Sequence, residues 1–579
     1  MNNNSHILYY HKEIDELAKA RQQFIERFPK LAPFLSNTSK DPDIERLIEN
    51  FAILTSKIKM ELDQNIPSIA ESLINIIAPN YTASIPAMCM QEFNLNSNAE
   101  INSLIIPKGA NVFAKQINNV SCQFTTVYDL YLYPIKITDV LLQSISKFQS
   151  MSLRIESYKD DANISDMNIT KLNLYLGSDI YLATSLLMWF FNYLHEIIII
   201  NPDNNEEYRL PVQNLNTMGF DDKESIFARR NTGIEAFSLM QEYFFIPDKF
   251  NMVTIDKLDM LKYFNGKSFI IKFIFTKNLP SFCIPRADHF SFGITPVINL
   301  FETSTVPMKN DINKDGFRLS ISKTYDKYYN ILEVISVFSS TSVRGKRYLK
   351  NYNNFERFEF LREDDMPDFF TTSRKKDING DEYTCLTLYD SSILMSNDHE
   401  TISVNALCCN GTLPEELQIG DINRFDNQNI STTNITLPTK LYKAAVDGTI
   451  LWKLVSVLSL NYQTMTNRTS FLAVLHAYDF TLGKNDNVSE KLRDAVKNIK
   501  SKTVYRMING IPKKGTLCII DIDDSLFYCI GEVYRLGLIL AKFFSSFASI
   551  NSFCELQINC ITANTVLDYF PTEGRKSNI

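Results

Sequence analysis

Across residues 41–86, apolar side chains recur at Ile44, Leu47, Ile48, Phe51, Leu54, Ile58 and Leu62. That spacing lays one stripe along a helix. Glu45, Arg46, Glu49, Lys57 and Glu61 line the opposite, wet face. Asp41 supplies a helix cap, and Pro42 takes the first helical position, where a missing N–H costs nothing. Pro67 breaks this helix, and a shorter apolar one over residues 68–78 stops at Pro79. Upstream, Tyr10, Ile14, Leu17, Phe24 and Phe28 share one side of a first helix that Pro29 and Pro33 close. Periodicity alone makes the long stripe a core face. A second reading is a surface that packs on a partner chain, because few elements nearby in sequence could cover it.

Beyond residue 86 the pattern changes. AMCMQEFNL, INSLII, ANVFAK, VSCQFTT and DLYLYPIKI are short runs of β-branched and aromatic residues split by turn formers. In KLNLYLG, Leu172, Leu174 and Leu176 alternate with Asn173 and Tyr175, as a half-buried strand requires. Residues 179–194 then read as a helix and 196–200 as a buried strand. The expected fold class is α+β and multidomain: an α-helical N-terminal part over 1–90, then β-rich domains over 91–302 (α+β) and 303–425 (less regular), and a C-terminal α+β part over 426–579.

With 579 residues and 45% hydrophobic content, the chain can bury several cores. Its net charge of −7, with both signs scattered, argues against non-specific nucleic-acid binding. The basic cluster Arg344, Lys346, Arg347 and Lys350 reads as a solvated loop. Ten cysteines without a Cys-x-x-Cys pair and with mostly apolar neighbours read as reduced, buried thiols of a cytosolic protein. The first residues lack the basic and apolar regions of a signal peptide. The apolar stretches 186–200 and 530–547 read as core elements, the first too short to span a bilayer and the second interrupted by Glu532, Arg535 and Lys542.

Several segments carry a resemblance. Tyr9, Tyr10, Asp41, Pro42, Glu45, Arg46, Leu47, Glu49, Phe51, Ala52, Leu54, Leu62, Asp63, Pro67, Pro79, Tyr81, Ile85 and Pro86 fit a Tyr-Tyr pair, DPxxERLxExFAxLxxxxxxxLDxxxP and PxYxxxIP. Pro107, Gly109, Cys122, Phe124, Thr126 and Pro134 fit a PxG turn followed by Cys-x-Phe-x-Thr and a late Pro. QEYFFIPDKF (241–250), TPVINLFE (295–302), HETISVNALCCNGTLPEELQIG (399–420), the pair Pro438-Thr439 and LWKLVSVLSLNY (451–462) follow in order. Residues 537–556 add a terminal helix that ends in an Asn-x-Phe-x-x-Leu strand. Singly each is weak; in this order and over this span the chain resembles the TssF family (VasA/ImpG) of type VI secretion baseplate proteins. Cys409, Gly411, Lys453 and Val457 depart from the family's Thr, Arg, Arg and His, and such departures resemble the diverged Francisella-type branch.

The resemblance implies a cytoplasmic scaffold, docked at the inner face of the cytoplasmic membrane, with no catalysis. Two copies would join one TssG-like partner in a wedge, and wedges would ring the spike hub. A TssK-like adaptor, TssE-like and sheath subunits would be further partners, with no nucleic acid and no direct membrane insertion. Candidate partner-interface residues are Leu47, Phe51, Leu54 and Ile58. No catalytic, cofactor or metal residues are expected. Six scattered histidines form no HExxH, and no GxSxG elbow occurs. Asn265-Gly266-Lys267-Ser268 lacks the leading Gly of a P-loop, with Leu261 in its place. The calcium-loop look of residues 311–316 fails at Ser322, where a bidentate Glu is needed. Asp364–Asp365, Asp523–Asp524 and His399–Glu400 read as solvated pairs. The alternative from another class is a soluble multidomain enzyme, for instance a carbohydrate-active one with two convergent carboxylates.

Overall fold

A computed structural model describes residues 84–574 apart from 146–147, 160, 228–234, 310–315, 342–344, 352–368, 377–381, 390–400, 443–466, 479–487, 509 and 550. The chain divides into two compact units, Met1–Ala78 with Ala445–Ser459, and Pro79–Ala444 with Leu460–Ile579. The described elements belong to the second.

The described residues hold 28 strands in six sheets against five α-helices. This corrects the α+β expectation: the described fold is mainly β. The turn-punctuated runs of β-branched and aromatic residues pair with partners far away in the chain, and the helices serve as covers and struts between sheets. The helices predicted within residues 1–83 lie outside the described residues. The described end of that expected helical part, Met88–Leu95, is a strand.

That strand sits in the middle of a six-stranded sheet. It pairs antiparallel with Ile294–Ile298 on one side, Gln91 opposite Thr295, and with Ile430–Asn434 on the other, Gln91 opposite Asn434. Asn111–Ile117, Val120–Thr126 and Ile422–Phe425 complete the sheet. Both faces of Met88–Leu95 are buried: Cys89, Phe93 and Leu95 enter one core with Val112, Phe124 and Leu413, while Met88 and Met90 enter another with Tyr128, Phe245 and Ile298. A strand buried on both faces carries apolar residues in succession, as Met88, Cys89 and Met90 do here.

The 171–177 segment makes the predicted strand, Lys171–Tyr175, with Leu172 and Leu174 buried; Tyr175, expected on the wet face, is buried as well. Helix α1, Ile180–Asn192, is capped by Asp179, whose carboxylate accepts the Tyr181 N–H. The strand after it, Leu194–Asn201, buries Ile197, Ile198 and Ile199. Helix α2 is Glu235–Phe245. The section read as less regular supplies most of an eight-stranded sheet, in which Asn330–Thr341 pairs with Thr401–Cys409 through two bulges. Of its basic cluster, Lys346, Arg347 and Lys350 are on the strand Gly345–Asn351 rather than a loop, Arg344 lying outside the described residues, and the Lys346 ammonium is 3.7 Å from the Phe338 ring centre.

Two helices, α3 (Arg468–Tyr478) and α4 (Val488–Ala495), precede the last sheet. It consists of the hairpin Val496–Ile508 and Ile511–Ile522, then Phe553–Cys560 and Thr565–Glu573. Ile511–Ile522 and Phe553–Cys560 run parallel, which demands a crossover, and α5 (Ile530–Phe547) supplies it. Buried residues surround α5 on every side, Glu532 and Arg535 included. Phe544 stacks on Phe471 of α3 and Phe543 meets it edge-on, each ring worth about 1.5–3 kcal/mol by burial.

Helix α5 meets α1 at Gly531, where a Cβ would lie 2.5 Å from the Thr184 carbonyl. Replacing it with Val should force the two helices apart and lower stability by about 2–3 kcal/mol. Denaturant titration would measure this against Gly510→Asn, which sits at φ +78° in open space and should be close to neutral.

Candidate functional site

No exposed catalytic constellation is assembled from the described residues. What the structure does assemble is a set of buried polar junctions, and the family-like segments meet there.

The first is made by residues 241–250. Helix α2 ends at Phe245, and Pro247 starts a 3-10 turn, Pro247–Phe250, that folds back on it. This brings Glu242 and Lys249 together as an ion pair with both side chains wholly excluded from solvent. The other Glu242 oxygen accepts from the Ser225 hydroxyl and the Ile226 N–H, both at 2.7 Å. Lys249 lies 5.3 Å from the Phe250 ring centre and 6.0 Å from that of Tyr128. Arg535 of α5 is also buried: its guanidinium donates to the Asn251 side chain at 2.7 Å and the Pro247 carbonyl at 3.3 Å, and lies 5.7 Å from the centre of the Tyr243 ring. Burial raises the Asp248 carboxyl above its ordinary range, and the nearby Arg535 charge opposes that rise. Burial likewise pushes Tyr243 up to about 12.

The second junction joins three segments. Asn299 and Asn410 bond reciprocally: the Asn410 N–H donates to Asn299 Oδ1 at 2.7 Å, and Asn299 Nδ2 donates to Asn410 Oδ1 at 2.8 Å. The backbone of Gln123, inside the Cys-x-Phe-x-Thr run, donates to Asn410 and accepts from Asn299. Cys122 and Phe124 point into the core on either side of it. Thr126 reaches the Pro107 carbonyl of the PxG turn at 2.9 Å. The residue after Asn410 is Gly411, with φ +57°, a left-handed conformation that glycine tolerates and the family's arginine would strain. Thr439, from the Pro-Thr pair, exchanges two hydrogen bonds with the backbone of Met88. These asparagines and threonines are single polar letters inside apolar runs. That contrast is the sequence signal of a buried, hydrogen-bonded polar group, and periodicity does not register it.

The remaining candidates resolve simply. Leu47, Phe51, Leu54 and Ile58 lie outside the described residues, as do Asp364–Asp365, His399–Glu400, residues 311–315 of the calcium-like loop and residues 451–462. Ser268 opens the strand Ser268–Phe275, whereas a phosphate loop would lead into a helix. Asp523 is held below the usual carboxylate range by the Ser525 hydroxyl and then Lys497, and caps a short turn. Asp524 accepts the Thr562 N–H at 2.7 Å. Both fix loops, which accounts for them without acid–base work. Among the described residues, no group of three His, Cys, Asp or Glu side chains could hold a metal ion, and no helix is long and apolar enough to cross a membrane. Nine of the ten cysteines are buried. Burial pushes Cys122, Cys283 and Cys408 up to about 12, and Cys409 and Cys560 up to about 11.

The family model "Type VI secretion system, TssF" matches residues 2–576. The chain belongs to the TssF family. A relative with 23% identity, the type VI secretion system component TssF1 of Pseudomonas aeruginosa, aligns over 99% of this chain and 99% of its own length. Among solved structures, a chain of a TssK–TssF–TssG baseplate subcomplex of the type VI secretion system, seen by electron cryo-microscopy, has the same fold at a TM-score of 0.79. Its identity is 20%, and the match covers 92% of this chain and 100% of that one. A chain of a type VI secretion baseplate complex matches with a TM-score of 0.62 and 19% identity, over 99% and 100% of the two chains.

Lys249→Met should destabilise the protein by about 3–5 kcal/mol, because it leaves the Glu242 carboxylate buried and uncompensated. Adding Glu242→Leu should recover much of that loss. Urea titrations of the single and double variants measure both. A thiol reagent at neutral pH should label Cys529 well before the nine buried cysteines, which should react fully only after unfolding.

Proposed function

We propose that this chain is a structural, non-catalytic component of a type VI secretion baseplate, assembling with a TssG-like and a TssK-like protein. One observation carries the reading. The TssF family model spans nearly the whole chain, and the fold shared with a chain of a TssK–TssF–TssG subcomplex supports it.

The finer reading rests on the resemblance in the N-terminal stripe. Two copies of the chain join one TssG-like partner in a wedge, and wedges ring the spike hub in the cytoplasm, docked at the inner face of the cytoplasmic membrane. TssE-like and sheath subunits attach on the contractile side. Leu47, Phe51, Leu54 and Ile58 face the partner, with the wet residues between them turned to water. The mainly β body described above then acts as a stiff frame. Its buried charges and amides favour one geometry, and repacking at subunit contacts changes the state of the ring.

Co-expression of a tagged copy with the neighbouring secretion-cluster products, followed by native mass measurement, tests this. The expected product is a discrete complex of two copies with one smaller partner. Leu54→Asp with Ile58→Asp should abolish co-purification and leave the circular dichroism of the β-rich body unchanged. A monodisperse chain that captures none of these products would overturn the scaffold reading.

A further inference from the structure

The hairpin of the last sheet differs from the rest of the chain in charge and exposure. From Val496 to Ile520 the sequence carries Lys497, Lys500, Lys502, Arg506, Lys513 and Lys514 and not one Asp or Glu, in a chain whose net charge is −7. Asp523, Glu555 and Glu573 pair with Lys497, Arg506 and Lys513. Lys500, Lys502 and Lys514 have no acidic partner among the described residues.

The hairpin also projects. Its neighbour Phe553–Cys560 begins opposite Gly515, so Tyr505–Ile508 and Ile511–Lys514 pair only with each other. Four residues per arm extend about 14 Å beyond the sheet. Tyr505, Met507 and Ile511 on this extension are 70%, 68% and 59% exposed. Facing pairs in the register sort the side chains. Lys500, Lys502 and Arg506 lie on the side away from α5, and Thr503, Tyr505 and Met507 lie on the other. Val496–Ile508 is an edge strand. At its base Arg468 of α3 covers the Val496 carbonyl at 2.7 Å, and from Lys500 onward its side chains are mostly exposed.

We propose that this edge receives an extended segment of a partner protein as an added strand, with acidic and apolar side chains in alternation. Strand addition satisfies the open backbone groups of the edge. The two-residue alternation of a strand then sets the segment's acids beside Lys500 and Lys502 and its apolar residues beside Tyr505 and Met507. Lysines on an edge also repel indiscriminate pairing, and here they repel a second copy of the same hairpin. Insertion in lipid would leave the edge's N–H and C=O groups unpaired in hydrocarbon. Nucleic acid would find one exposed aromatic ring and an aliphatic tip, a poor stacking platform.

The test uses the full chain and a synthetic peptide of alternating glutamate and valine, with binding followed by fluorescence anisotropy. The wild type should bind it, and more weakly as salt rises. Lys500→Glu with Lys502→Glu should weaken binding about tenfold or more. Tyr505→Ser with Met507→Ser should weaken it without changing its salt dependence. A proline placed mid-peptide should abolish it, since proline removes a ladder donor. All four substituted positions are exposed, so the variants should keep the wild-type circular dichroism. Equal binding by the charge-reversed variant, no binding by the wild type, or equal binding of a lysine–valine peptide would overturn the proposal. So would hairpin-dependent binding to phosphatidylglycerol vesicles or to a single-stranded oligonucleotide that exceeds binding to the peptide.

Discussion

The body of this protein depends on three buried charges. Glu242 and Lys249 face each other out of contact with water, and Arg535 is sealed over the same corner. Excluding such groups from solvent is expensive unless each finds a partner in one particular arrangement. The corner 241–250 and helix α5 therefore have little freedom to pack in any other way. Arg535 ties the helix to Pro247 and Asn251, Gly531 presses it on α1, and Tyr569 donates to the Tyr534 carbonyl from the last sheet. Through α5, the C-terminal sheet and the helices α1 and α2 share one alignment.

The amide junction does the corresponding work for the sheets. Asn299, Asn410 and Gln123 come from three separated segments and hydrogen-bond directly to one another. An apolar core tolerates slippage, because its contacts are non-directional. Reciprocal amide bonds do not, and they fix the register between the six-stranded sheet and the strands that leave it. In a part of a large assembly, such stiffness lets a displacement at one surface reach another.

Much of the local structure was legible in the sequence. The helix that Asp179 opens and the strand at 171–175 followed from local spacing, and the buried cysteines and the core position of 530–547 from their apolar surroundings. Three things were not. Sheet membership was hidden, because Met88–Leu95 pairs with strands some 200 and 340 residues away, and no local pattern encodes the partner. The balance between helix and strand was hidden as well, because the N-terminal stripe is one strong helical signal while the many β runs are short and individually weak. Burial of Tyr175 on the expected wet face, and of the ionic Glu242 and Lys249, is decided by a second layer that covers the first, which no single strand or helix can announce.

The position of Met88–Leu95 also bears on how the chain is made. Its carbonyl at Glu92 accepts from Thr432, 340 residues later. At about 5–20 residues per second, the ribosome takes roughly 15–70 s to supply the strand that completes this sheet. Until then, a segment apolar on both faces is complete in the polypeptide but not in the fold. Synthesis of this protein thus includes a long interval in which a core strand waits uncovered, and a cell that builds it has reason to keep a chaperone at hand.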